Sequence, residues 1–82
     1  MYRIVADIAA DIKADWRPVN YAAKPYLDAM SEMAIPATKE GVRVGRYYED
    51  SATSVILYFL SNAVSWRGET ARRIKAELKS IT

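Results

Sequence analysis

The sequence predicts an all-α fold, a compact four-helix domain built from two helical hairpins, with residues 1–82 forming a single domain. Apolar residues recur at steps of three and four along four segments, which is the periodicity of a buried helix face. The chain has 3 glycines and 3 prolines, and most of them fall between those segments. Apolar residues make up 51% of the sequence, enough for a core, while 82 residues allow one domain.

The first hairpin is predicted from helices at residues 2–16 and 20–34. An apolar face at helical spacing defines the first, and Arg17-Pro18 ends it because the residue before a proline avoids helical geometry. Asn20 is a suitable N-cap for the second. Pro25 leaves two alternatives: a start near Asn20 with irregularity around Pro25, which we favour, or a start near Ala23.

The second hairpin is predicted from helices at residues 51–65 and 68–80. Asp50 or Ser51 can cap the first of these, whose broad apolar face predicts the centre of the core. Gly68 separates the two. Residues 35–49 are predicted to be a long loop, and no sheet is expected because no second strand is evident. An alternative is three main helices, with residues 20–34 broken in two.

The chain contains no cysteine and no histidine. Disulfides and Cys/His zinc sites are therefore excluded, and the usual thiol nucleophile and imidazole base are missing. We expect a non-enzymatic protein without cofactor or metal. Asp7, Asp11 and Asp15 recur at steps of four; an ordinary acidic face is favoured over a cation site or a contact with a basic partner.

Positive charge concentrates at the C-terminus, where residues 66–82 carry five basic and two acidic groups. The candidate contacts to nucleic acid or another anion are Arg67, Arg72, Arg73, Lys75 and Lys79. The alternative is a solvated helix face with lysines that suit the helix dipole.

Three aromatic residues are candidate interface contacts: Tyr47, Tyr48 and Trp66. Trp66 can alternatively stack on a base. For the two tyrosines, the alternative is that they cover the core where the third helix begins.

The longest apolar run, residues 55–60, is far shorter than the roughly 20 residues that span a bilayer. An acid at position 7 argues against a signal peptide. We therefore expect a cytoplasmic protein without membrane contact.

Residues 19–30 (VNYAAKPYLDAM) and residues 48–72, which begin YEDSA and end WRGETAR, resemble small uncharacterised proteins encoded by bacteriophages and other mobile elements of gut bacteria. The resemblance implies a short stand-alone phage or bacterial gene product, without a function to transfer. A protein-interaction module, acting as an adaptor or inhibitor, is the expected function. Nucleic-acid binding by the basic C-terminal helix is the alternative, and a homodimer using Met30 and Met33 is a third.

Overall fold

The structure, a computed structural model, describes residues 3–82, and within them it has five helices and one two-stranded hairpin. In chain order the elements are α1 (Val5–Asp15), α2 (Lys24–Met30), α3 (Lys39–Val44), β1 (Arg46–Tyr47), β2 (Asp50–Ser51), α4 (Ala52–Ser61) and α5 (Glu69–Ser80). The prediction of a pure four-helix, all-α domain is therefore wrong. The predicted start of the first helix, at residue 2, lies outside the described residues.

The first turn of α1 is held by the extended segment at residues 33–37. The amide of Val5 donates to the carbonyl of Ile35 at 2.8 Å, and the amide of Ala6 donates to the carbonyl of Met33 at 3.0 Å. The first amides of any helix lack partners within the helix. The extended segment supplies those partners, and so fixes α1 against the chain that precedes α3.

A separate turn at residues 21–23 precedes α2. The side-chain oxygen of Asn20 accepts from the amide of Ala22 at 2.7 Å, so Asn20 caps this turn and not the helix. The favoured start near Asn20 is therefore wrong, and the alternative start near Ala23 is confirmed. Pro25 lies in the first turn of α2. Backbone N–H groups in the first turn of a helix have no acceptor within the helix, so the proline, which has no N–H, breaks no helical hydrogen bond there. The helix ends at Met30, before the predicted residue 34.

Helix α3 lies inside the segment that was predicted to be a loop. The hydroxyl of Thr38 accepts from the amide of Gly41 at 3.0 Å and caps the helix. A Cβ on Gly41 would collide with the carbonyl oxygen of Pro36, and one on Gly45 would lie 2.6 Å from Cδ1 of Ile35. These glycines allow α3 to pack closely against the extended segment. The prediction of a loop at residues 35–49 is therefore wrong, because it took the two glycines as residues that interrupt a helix.

Strands β1 and β2 form an antiparallel hairpin in which Arg46 pairs with Ser51 and Tyr47 pairs with Asp50. The expectation of no sheet is wrong, because the second strand is made by the two residues predicted as caps. Ser51 has both roles, since its hydroxyl also accepts from the amide of Ser54 at 3.1 Å and caps α4. Helix α4 ends at Ser61 and not at residue 65.

Helix α4 packs chiefly on α2, and α1 lies between α2 and α5. Helices α1 and α2 are in contact, but α5 packs mainly on α1 and not on α4, so the predicted domain of two helical hairpins is wrong. Phe59, Ile74 and Leu78 are fully buried, as their spacing predicted. Met30 and Met33 are also buried, which removes the surface on which a homodimer was expected.

The described part of the chain contains no helix that is long and apolar enough to cross a membrane.

Candidate functional site: a tyrosine hairpin tip and a basic groove

The tip of the hairpin is a two-residue loop, Tyr48-Glu49. Tyr48 has a φ of 57°, and within residues 3–82 it is the one non-glycine residue with a positive φ. A positive φ at the first central residue only is the pattern of a type II′ turn, in which that position favours glycine. A sparsely populated backbone conformation of this kind costs a non-glycine residue about 1–3 kcal/mol, so the tip holds a strained tyrosine.

The two tyrosines of the hairpin have different environments. Tyr48 is 83% exposed, and its ring packs edge-on against Tyr47 at a centroid distance of 4.7 Å. Tyr47 is half-buried, and its hydroxyl donates to a carboxylate oxygen of Glu32 at 3.4 Å. Partial burial and the negative charge of Glu32 raise the pKa of the Tyr47 phenol. Tyr47 packs against the core and anchors the hairpin, whereas Tyr48 projects into solvent. The alternative that the two tyrosines cover the core therefore holds for Tyr47 only.

The hairpin tip is acidic as well as aromatic. Glu49 and Asp50, which follow Tyr48, are both exposed. Neither takes part in an ion pair with another residue in the range 3–82. A partner that meets Tyr48 therefore also meets two uncompensated carboxylates.

The predicted basic residues, which lie on α5 and in the segment just before it, separate into two groups. Arg67, Arg72 and Lys75 line a groove of about 350 Å³ beside the start of the helix, and Lys79 continues the row one turn further on. We call these four residues the basic groove. Arg73 lies on another face, in a depression that it shares with acidic residues of α1. It is therefore not part of the basic groove.

Lys75 occupies the most enclosed position of the basic groove. Its ammonium donates to the carbonyl oxygen of Trp66 at 2.6 Å and lies 5.8 Å from the centre of the Trp66 ring. Burial lowers the pKa of Lys75, and the positive charges of Lys79 and Arg67 lower it further. No carboxylate within residues 3–82 forms an ion pair with any of the four cations. The groove therefore carries uncompensated positive charge.

Trp66 is a structural residue and does not offer a free ring. It is 2% exposed, and its indole N–H donates to a carboxylate oxygen of Asp15 at 2.9 Å. Its ring stacks on Trp16 with centroids 5.7 Å apart and an angle of 11° between the planes. The interpretation of Trp66 as an interface or base-stacking residue is therefore wrong, because both its ring and its N–H are used inside the fold.

The acidic stripe of α1 is also used inside the fold. Asp7 accepts from the backbone amide of Ile4 at 3.1 Å, and Asp11 pairs with Arg3 at 2.8 Å. Asp15 accepts from the Trp66 indole. Each of the three acids thus has its own partner.

The hairpin tip and the basic groove lie at opposite ends of α4. The hairpin leads directly into its first residue, and the groove is formed by the chain that follows its last turn. A helix of 10 residues is about 15 Å long. The two surfaces are therefore separate, and one flat partner surface need not contact both.

No family model, curated protein or solved structure matches the chain.

Proposed function

We propose that the chain is a non-enzymatic protein-interaction module, an adaptor or inhibitor of the phage or mobile-element type, and that the hairpin tip is its contact element. The observation that carries this proposal is the strained and exposed Tyr48, which has a φ of 57° and is 83% exposed.

Within residues 3–82, no evident contact of Tyr48 compensates for its backbone strain. Glycine would adopt this backbone conformation without steric cost. The Tyr48 ring packs edge-on against Tyr47 and is largely exposed to solvent. Strained backbone is characteristically retained where it serves function, and tyrosine is among the residues that dominate the energetics of protein interfaces. A partner that buries the ring supplies the missing stabilisation.

The hairpin presents Tyr48 in a fixed position. Tyr47 anchors one strand through its hydrogen bond to Glu32, and Ser51 ties the other strand to the start of α4. A contact residue held in its bound position loses little conformational entropy on association. Because Glu49 and Asp50 flank the ring, the complementary partner surface is an apolar pocket with basic residues at its rim.

Affinity purification with matched tyrosine variants tests the proposal. Tyr21 is 88% exposed and lies in the turn before α2, so Tyr21→Gly is the control for Tyr48→Gly. Nuclease-treated lysate of the native cell should yield a stoichiometric protein partner with the wild-type chain and with Tyr21→Gly. Tyr48→Gly should lose it. Equal recovery with Tyr48→Gly, or recovery of nucleic acid alone from untreated lysate, would contradict the proposal.

A second candidate function is binding of a nucleic-acid backbone in the basic groove. It is favoured by one observation: four cations, one just before α5 and three along one side of it, form no ion pair with a carboxylate in the described chain. Phosphate contacts of this kind supply affinity without sequence preference. Because Trp66 is buried, this binding would be electrostatic and would not include base stacking at that residue.

A further inference from the structure

A second concave surface lies between the end of α1 and the start of α2, and no motif in the sequence pointed to it. Its walls are apolar and are formed by Trp16, Pro18, Val19 and Leu27. Its volume is about 360 Å³. This value lies at the lower end of the range for small-molecule sites, about 300–1,000 Å³. We call this surface the α1–α2 cleft.

The rim of the α1–α2 cleft carries an excess of positive charge. Lys24 and Lys13 both reach Asp28, with N–O distances of 2.9 and 3.3 Å. The hydrogen bond from Lys24 and the weaker one from Lys13 lower the pKa of Asp28 despite some desolvation, so this carboxyl is ionised near neutral pH. Arg17 is exposed and forms no ion pair with any residue from 3 to 82. Three cations against one anion leave a net charge of +2 around an apolar surface.

The aromatic wall of the cleft is rigid. The ring of Trp16 stacks on Trp66, with centroids 5.7 Å apart, and packs edge-on against Phe59 at 6.3 Å. Trp16 is nevertheless only partly buried, and it lines the cleft. A flat ligand ring can pack against this wall without rearranging it. Offset stacking and edge-to-face packing are the two arrangements that aromatic pairs favour.

We propose that the α1–α2 cleft binds a small aromatic carboxylate. The ligand ring would lie against Trp16, Pro18 and Val19, and its carboxylate would face the guanidinium of Arg17, whose paired N–H groups suit a carboxylate. Asp28 already occupies the two lysines, so Arg17 is the cation left for the ligand. The cleft is separate from the hairpin tip, and this assignment does not depend on the proposed function.

The probe for the test is 1-naphthoate, compared with the neutral 1-naphthamide and followed by amide and indole resonances of the labelled protein. Naphthoate should produce saturable shifts at the Trp16 indole and at Val19. Naphthamide should bind at least about tenfold more weakly, since its neutral amide group cannot form the charge-assisted, bidentate pair with Arg17. Arg17→Gln should weaken naphthoate binding by about the same factor. Arg46→Gln, at an exposed arginine of β1, is the matched control and should change nothing.

A second variant tests the apolar wall independently of charge. Val19→Thr replaces one methyl group by a hydroxyl at nearly the same volume, so it should weaken both probes. Because Val19 packs partly against the core, a small fall in the urea midpoint is expected, and binding is compared in the absence of urea, where both proteins are folded. Equal affinity for the two probes would overturn the assignment, as would shifts confined to the basic groove or equal effects of Arg17→Gln and Arg46→Gln. If an acidic aromatic peptide binds in the cleft and naphthoate does not, the cleft is a peptide-docking site and the small-molecule assignment is wrong.

Discussion

The indole N–H of Trp66 donates to a carboxylate oxygen of Asp15 at 2.9 Å and so joins the last residue of α1 to the segment before α5. The two residues are 51 positions apart in the sequence. Trp66 also stacks on Trp16 and receives the Lys75 ammonium on its carbonyl. One buried tryptophan therefore positions the basic groove relative to α1.

Replacing Asp15 should destabilise the fold. In Asp15→Ala the buried indole N–H of Trp66 loses its acceptor, and the free energy of unfolding should fall by about 2 kcal/mol. Asp11→Ala is the control, because it removes an exposed ion pair with Arg3 and should lower the free energy of unfolding by less than about 1 kcal/mol. Urea unfolding measures both values. Equal losses would contradict the role assigned to the indole hydrogen bond.

Replacing Tyr48 with glycine should not destabilise the fold. The substitution removes the strain of a positive φ, which outweighs the added freedom of the unfolded chain and the loss of an exposed ring contact. The free energy of unfolding should be unchanged or higher by up to about 1 kcal/mol. Tyr47→Ala, which removes the anchored ring, should lower it. A loss with Tyr48→Gly as large as that with Tyr47→Ala would mean that Tyr48 stabilises the monomer and is not kept for a partner.

The second candidate function predicts that the salt dependence of nucleic-acid affinity changes only when a positive charge is removed from one side of α5. If the groove contacts phosphates, Arg72→Gln should lower the slope of log affinity against log salt by about 1 for duplex DNA. Arg73→Gln removes the same charge from the other face, beside Asp11 and Asp15, and should leave the slope unchanged. Fluorescence anisotropy gives the slopes. Absence of binding to DNA and RNA at about 50 mM salt would remove this candidate.

Asp28 should contribute a pH-dependent part of the stability. The folded chain holds the pKa of Asp28 below its ordinary value of 3.8, so the unfolded chain takes up the proton first as the pH falls. The contribution is complete above pH 3.8 and is lost as the pH falls through the lowered value. Urea midpoints of the wild type and Asp28→Asn should therefore differ at neutral pH and converge in acid. Lys24→Met should shrink the difference at neutral pH, and a difference that persists in acid would contradict this account.

Helical periodicity predicted the elements whose buried faces are regular. The fourth helix was predicted at residues 68–80, and α5 runs from Glu69 to Ser80 with Ala71, Ile74 and Leu78 buried. Ser51 was one of two predicted caps, and its hydroxyl caps α4. These features depend on local spacing, which a single sequence contains.

The features that were missed depend on contacts between distant segments. Gly41 and Gly45 were taken as loop residues, yet they allow α3 to approach Pro36 and Ile35 closely. The hairpin was missed because its two-residue loop has tyrosine where glycine is the usual signal. The capping pattern of Thr38 with the amide three residues later was the available local signal for α3.

The candidate site was also predicted only in part. The spacing of Arg72, Lys75 and Lys79 indicated one side of a helix, but nothing local placed Arg73 apart from them beside α1. Trp66 is next to a run of exposed residues in the sequence, and only the long-range contacts with Asp15 and Trp16 account for its burial. The α1–α2 cleft likewise exists only once α1 and α2 are packed.

The affinity of the recovered partner for position 48 variants tests the central claim most directly. Calorimetry should show that Tyr48→Ala weakens binding of the purified partner by at least about 30-fold, since a buried tyrosine anchor contributes about 2 kcal/mol or more. Tyr21→Ala, at an equally exposed tyrosine, should change the affinity less than about twofold. Equal affinities of the wild type and Tyr48→Ala would contradict the assignment of the hairpin tip as the contact element.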